Sequence, residues 1–250
     1  MDWHFLVEGK KPHNLRELSL PADLRLLVLA PHPDDFDAVG VTLKHLFDRG
    51  LALRVAVADT SSGVQDSYLG GLSKSARTQL RRREQEASAR FFGIDGPALT
   101  FMALKNGDSD QVSDDPDNLE QIDELMRQYE PDLIFLPHGN DSNSAHRAMY
   151  SLVRQIVLRS GRRIALLLNR DAKTVAMRTD LYYPFGPVEA AWKAEMLRFH
   201  DSQQQRNLNQ RGHGFDERVL DLNRQIAEQL ALDMPYAEAF ELEWFGPKRE

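Results

Sequence analysis

Residues 24–35 read Leu24-Arg25-Leu26-Leu27-Val28-Leu29-Ala30-Pro31-His32-Pro33-Asp34-Asp35. Up to Ala30 they form a near-continuous apolar run of strand length, which suits a parallel strand buried on both faces. The run ends directly in two prolines, a histidine and two aspartates. In an open α/β sheet ligands sit beyond the carboxyl ends of the strands, so this stretch proposes both a fold class and a place for chemistry.

Working outward, Val39 to Arg49 spaces Val39, Leu43, Leu46 and Phe47 for a helix, with Gly50 as its cap. A second strand, Leu53 to Ala58, ends at Asp59-Thr60-Ser61-Ser62-Gly63, completing a strand–helix–strand unit. Beyond the Gly- and Ser-rich stretch 63–75, the pattern predicts a helix over 76–92, a strand over 98–103, a helix over 118–129 and a strand over 133–136. A helix over 145–159 and a strand over 163–168 follow. Such alternation implies an α/β protein with a mostly parallel sheet and right-handed crossovers. The tail over 188–232 reads as mainly helical, with a short extended segment near 235–244. The length suits one domain over residues 1–250.

Composition removes whole classes. With no cysteine there is no disulfide framework, Cys-based zinc finger, iron–sulfur cluster or cysteine nucleophile, so any metal must be held by His and carboxylate. Lys and Arg total 31 against 38 Asp and Glu, a net charge of −7. That charge disfavours nucleic acid and anionic membranes and suits a neutral or weakly charged small molecule. Met1-Asp2-Trp3-His4-Phe5 has no signal-peptide pattern, and no apolar run approaches the ~18 residues of a spanning helix, so the expectation is a cytoplasmic protein without membrane insertion. A homo-oligomer stays open.

Asp34 and Asp35 repel one another beside a histidine held between prolines, and a divalent cation removes that difficulty. The plainer reading is an Asp-Asp cap of the following helix. A second polar cluster, Pro137-His138-Gly139-Asn140-Asp141-Ser142-Asn143-Ser144-Ala145-His146, follows another strand. If the two converge, His32, one aspartate and one later histidine make a two-His, one-carboxylate site with a vacant position, the catalytic zinc pattern. The other aspartate is then free to act as base.

Pro31 to Asp35, Gly40 and a later histidine opening a helix resemble the LmbE-like, or PIG-L, N-acetylglucosaminyl deacetylases. Arg81, Glu84 and Gly93 are similar to the family's Arg-x-x-Glu…Leu-Gly helix. Lys193 with His200-Asp201-Ser202-Gln203 resembles its Lys…His-x-Ser-Gln segment, and Tyr236 to Phe240 its ending. The resemblance implies a Rossmann-like three-layer fold and a hydrolase that removes the N-acetyl group from an N-acetylglucosamine-type sugar or conjugate. It implies Zn2+ (or another divalent metal) on His32, Asp35 and His146, metal-bound water as nucleophile, and Asp34 as general base. Protonated Asp34 or His200 would then serve the leaving amine. Two departures stand out: Asn143 replaces the histidine that assists the oxyanion, and Asn106-Gly107 replaces an Asp-Gly near the sugar hydroxyls. Asn143 can donate a hydrogen bond but cannot carry a proton. The alternatives are a metal-dependent hydrolase of another amide or ester, and a non-catalytic metal- or sugar-binding homologue.

His138 is expected beside the site rather than as a ligand, and His4, His13, His45 and His213 as surface or core residues. Arg81-Arg82-Arg83 reads as a solvated helix face, with Arg81 a candidate substrate contact. Asp108, Asp110, Asp114, Asp115 and Asp117 lack an EF-hand's Gly and final Glu and read as a solvated loop. Asp59 to Gly63 reads as pocket wall, and the chain has no Gly-x-Ser-x-Gly, Gly-x-Gly-x-x-Gly or Gly-Lys-Ser/Thr motif.

Overall fold

The computed structural model describes residues 12–107 and 110–246; the readings made on residues 1–5 and on Asp108 lie outside them. The chain runs β1 (His13–Asn14), β2 (Arg25–Ala30), α1 (Gly40–Asp48), β3 (Ala52–Ala58), α2 (Lys74–Phe92), β4 (Leu99–Met102), α3 (Pro116–Tyr129), β5 (Leu133–Pro137) and α4 (Ser144–Ser160). Then come β6 (Ile164–Asn169), β7 (Leu181–Phe185), α5 (Pro187–Arg198), α6 (Asp201–Arg211), α7 (Phe215–Gln229) and β8 (Tyr236–Phe245).

One eight-stranded sheet has the order β1-β7-β8-β6-β5-β2-β3-β4 and is parallel except on both sides of β8. The alternation of β2 explains its apolar run. Leu26, Val28 and Ala30 pack with Leu43, Leu46, Phe92 and Met196 on one face, whereas Leu27 and Leu29 pack with Ile122, Met149 and Val153 on the other. Helices α1, α2 and α5 thus cover one face and α3 and α4 the other, giving the three layers. Progress along the sheet reverses between β2 and β5, which lie side by side. A crevice opens at such a switch point beyond the carboxyl ends.

Strand β7 was not foreseen. Pro184 lies inside it, and a proline within a run argues against a strand. It is tolerated because β1 pairs only with Leu181 and Tyr182, so no neighbour on that side needs an amide from Pro184. The terminal segment expected near 235–244 is there as β8, and it joins β7 to β6 in antiparallel register along ten residues.

The start of α1, which ends the His32–Asp35 loop, is tied down from afar. Glu238 on β8 accepts the amides of Val41 at 3.2 Å and Thr42 at 2.8 Å, placing a carboxylate at the positive end of the helix. Lys193 compensates that charge, donating from Nζ to Glu238 Oε1 at 2.6 Å, Asn223 Oδ1 at 2.9 Å and the Ala38 carbonyl at 2.6 Å. Among the described residues no helix is long and apolar enough to cross a membrane.

Candidate active site

The loop after β2 and the first turn of α4 after β5 meet at the switch point. His32, Asp35 and His146 offer one ligand atom each, all within 4.8 Å of one another. His32 Nδ1 lies 3.0 Å from Asp35 Oδ2, and His146 Nε2 lies 3.3 Å from Asp35 Oδ1. The far side of each imidazole is also engaged. Gln111 Oε1 sits 2.8 Å from His32 Nε2, and Asp141 Oδ2 lies 3.2 Å from His146 Nδ1, short of a well-aligned hydrogen bond. Partners so placed present the opposite nitrogen of each ring to a metal.

Burial disfavours charge on Asp35, but attraction to His146 and His32 outweighs it and holds the carboxyl well below the ordinary range. Burial likewise opposes charge on His146, yet Asp35 and Asp141 push it up to about 10. A proton on the histidine thus does the work of a counterion. Two imidazoles and a carboxylate whose ligand atoms converge are a donor set that suits zinc or another borderline divalent ion.

Asp34 lies in the same cleft. Its φ of 118° is strained for a residue with a side chain. The surroundings hold it there: its amide donates to Gln85 Oε1 at 3.0 Å, and its Oδ2 lies 3.0 Å from the Arg81 guanidinium. Arg81 is 2% exposed, and it also donates to the Pro33 carbonyl and, at 2.6 Å, to that of Ser62. The solvated-face reading of 81–83 is therefore corrected for Arg81, whereas Arg82 does pair with Asp59 on a partly exposed face. Arg81 lines the cleft while bracing Asp34.

Asn143 also lines the cleft, as do Ser62 and Gly63. Asn143 caps α4, its Oδ1 accepting the Ala145 amide at 3.0 Å, so that its NH2 group is the part left for a ligand. His200 and Asn106 are not among the lining residues. His200 is fully buried, its Nε2 3.1 Å from Asp37 Oδ2. Asn106 donates to the Asp59 carbonyl at 3.2 Å and Asp110 Oδ1 at 3.1 Å. His138 sits 3.3 Å from Glu241, apart from the His32–Asp35–His146 group.

The acidic loop is corrected in part. Asp110 turns inward to the Ser61 amide at 2.8 Å and Lys74 at 2.7 Å, and this inward turn brings Gln111 to His32. No motif signalled Gln111; Asp141 was visible only as one polar residue of the second cluster.

A parallel sheet with a His/Asp/His group and a further carboxylate at its switch point defines an α/β enzyme working from the carboxyl end of the sheet. The PIG-L family model, described as GlcNAc-PI de-N-acetylase, matches residues 27–157, more than half of the chain, and the chain belongs to this family of deacetylases. No curated protein sequence matches it. Among solved structures, the fold is similar to an N,N'-diacetylchitobiose deacetylase from Pyrococcus horikoshii, solved with an inhibitor: TM-score 0.71, 19% identity, 88% of this chain and 83% of that one covered. It is also similar to the zinc-inhibited form of a teicoplanin deacetylase, at TM-score 0.63 and 17% identity, covering 90% and 100%. A 4-carboxy-2-hydroxymuconate hydratase from Pseudomonas putida has the same fold, at TM-score 0.64 and 16% identity, covering 91% and 99%.

Proposed function

We propose that this protein removes the N-acetyl group from an N-acetylglucosamine-type sugar or conjugate, releasing acetate and a free amine. The observation that carries this is the convergence of His32, Asp35 and His146 beside Asp34 in one cleft, in a chain of a de-N-acetylase family. The three ligand residues would hold zinc or another divalent ion. When bound, such an ion supplies Lewis-acid polarisation of the amide carbonyl and acidifies a water molecule.

The chain's own residues supply the rest. Asp34, oriented by Arg81, takes a proton from the attacking water and returns it to the departing nitrogen. The Asn143 NH2 group donates to the oxygen on which negative charge develops. His200 does not reach the cleft, so its part is to support, through Asp37, the loop that carries Asp34 and Asp35. Arg81 acts on Asp34 rather than on the sugar, and Asn106 holds the Asp110–Gln111 turn.

Metal analysis of the purified protein together with acetate release from N-acetylhexosamine glycosides and acylated peptides tests this reading. Turnover of the sugars with about one bound divalent ion per chain is the expected result. The second reading, a hydrolase of another amide or of an ester, draws on Asn143, which cannot shuttle a proton as a histidine would; the hydratase of the same fold shows that architecture alone does not choose the reaction. Turnover of peptides alone would favour it, and metal binding without any turnover would favour a non-catalytic homologue.

A further inference from the structure

Among the described residues, five other than glycine have a positive φ. Leu69, Asp110, Glu130 and Ala231 lie between 47° and 54°, near the small left-handed well that side chains tolerate. Asp34 lies at 118°, and beyond 100° its only companions are Gly93 at 109° and Gly246 at 155°. Such a backbone persists only where its surroundings hold it. Here they clamp a single peptide unit. The Pro33 carbonyl and the Asp34 amide belong to one peptide plane, and two residues one turn apart on the same face of α2 take its two ends. Arg81 donates to the carbonyl, and Gln85 Oε1 accepts the amide at 3.0 Å. The next plane is fixed as well, because the Asp34 carbonyl accepts the Ala38 amide at 3.1 Å.

Gln85 cannot turn over in its own site. Its Nε2 donates to Asp37 Oδ2 and to Ser88 Oγ, each at 2.9 Å, and Asp37 Oδ2 lies 3.1 Å from His200 Nε2. A backbone N–H only donates and an ionised carboxylate only accepts, so the Oε1 end must face Asp34 and the Nε2 end Asp37. Gln85, Ser88, Asp37 and His200 are all fully buried. Turning the 33–34 plane over would bring the φ of Asp34 to about −60°, an ordinary value. It would also aim a carbonyl at Gln85 Oε1 and an N–H at the Arg81 guanidinium, leaving buried groups facing their own kind.

Resting on the deacetylase reading, in which Asp34 moves the proton, we propose that Gln85 is a positioning residue for that base: with Arg81 it locks the Pro33–Asp34 peptide against turning over. One nitrogen, Arg81 Nη2, serves both the Pro33 carbonyl and Asp34 Oδ2. While the plane is held, the carboxylate has one seat in the cleft; once the plane turns, that nitrogen loses its carbonyl and the seat is lost. Asp37 and His200 form the far end of the same chain of contacts, which gives two groups buried behind the cleft a part in placing the base.

Gln85→Met keeps the volume and removes both polar ends. In the metal-loaded protein, with methyl N-acetylglucosaminide as substrate, it should lower kcat for acetate release about 10- to 100-fold, with KM within about two-fold and metal content unchanged. In the Asp34→Asn background the same change should cost nothing further, because Gln85 acts through Asp34. A merely structural defect would lower both backgrounds alike. Independently of turnover, hydrogen exchange of the Asp34 amide, read by NMR, should be about 10-fold or more faster in Gln85→Met, while amides along β2 keep the parent's rates. Ser88→Ala removes only one anchor of Gln85 and should show the same changes at few-fold size; it carries the test if Gln85→Met does not fold. Unchanged exchange at Asp34, an unchanged kcat, or equal losses in both backgrounds overturns the proposal. A parent protein that releases no acetate refutes deacetylation, and the exchange measurement then still decides whether the lock exists.

Discussion

Two clusters of buried charge hold opposite ends of the His32–Asp35 loop and α1, and they are finished in opposite ways. Around Lys193 the network is closed: three acceptors take its ammonium protons, and Glu238 accepts amides from the start of α1. Around Asp35 it is open: His32 Nδ1 and His146 Nε2 converge on one carboxylate with their ligand atoms within 4.8 Å of one another. The closed cluster satisfies its charge internally and is architecture, whereas the open one aims three ligand atoms at one point that suits a cation. The first cluster holds the helix that holds the second.

The comparison can be broken most sharply at the open cluster. Asp34→Asn should lower turnover by about 10²- to 10⁴-fold with metal content unchanged, whereas His146→Ala should lose the metal. Acetate-release kinetics and elemental analysis check the pair, and metal retained in the histidine variant would remove His146 from the ligand set. At the closed cluster, Lys193→Met strands the Glu238 carboxylate and should cost about 3–5 kcal/mol of stability in urea unfolding. A variant as stable as the parent would mean that this network is not structural.

Smaller effects sharpen the contrast. Asp141→Asn and Gln111→Leu each remove a partner that orients an imidazole and should weaken metal binding by about 10- to 100-fold in a chelator competition, while leaving the Lys193 network intact. Protons report the smallest effect. With His146 at about 10 instead of its ordinary 6.5, the metal-free protein holds that proton at neutral pH. Metal binding at pH 7.5 should then release about one proton, seen as a buffer-dependent calorimetric heat. In the metal-free protein the raised value contributes stability that is full below 6.5 and is lost as pH rises through about 10. An unchanged heat across buffers would show that His146 is already neutral.

Much of this was written locally. The apolar run of β2, the helix spacing of α1 and the alternation of strands and helices predicted the parallel sheet, since each signal lies within a short stretch of chain. The prolines around His32 and the histidine opening α4 marked two clusters at strand ends, and His32, Asp35 and His146 do converge. Strand β7 was hidden because its support comes from β8, about fifty residues later, and because Pro184 is tolerated only beside a short edge strand. The work of Arg81 was equally hidden: a basic triplet looks solvated until the loop it braces folds over it.

By itself, then, the sequence determined the fold class, the absence of thiol chemistry and the residue types able to hold a metal, because periodicity and composition are local properties. Only the tertiary structure decided which side chains orient those ligands, that His200 and Asn106 stand back from the cleft, and that Arg81 braces Asp34. Partners and their absence depend on which distant segments meet, and no single stretch of the chain records that.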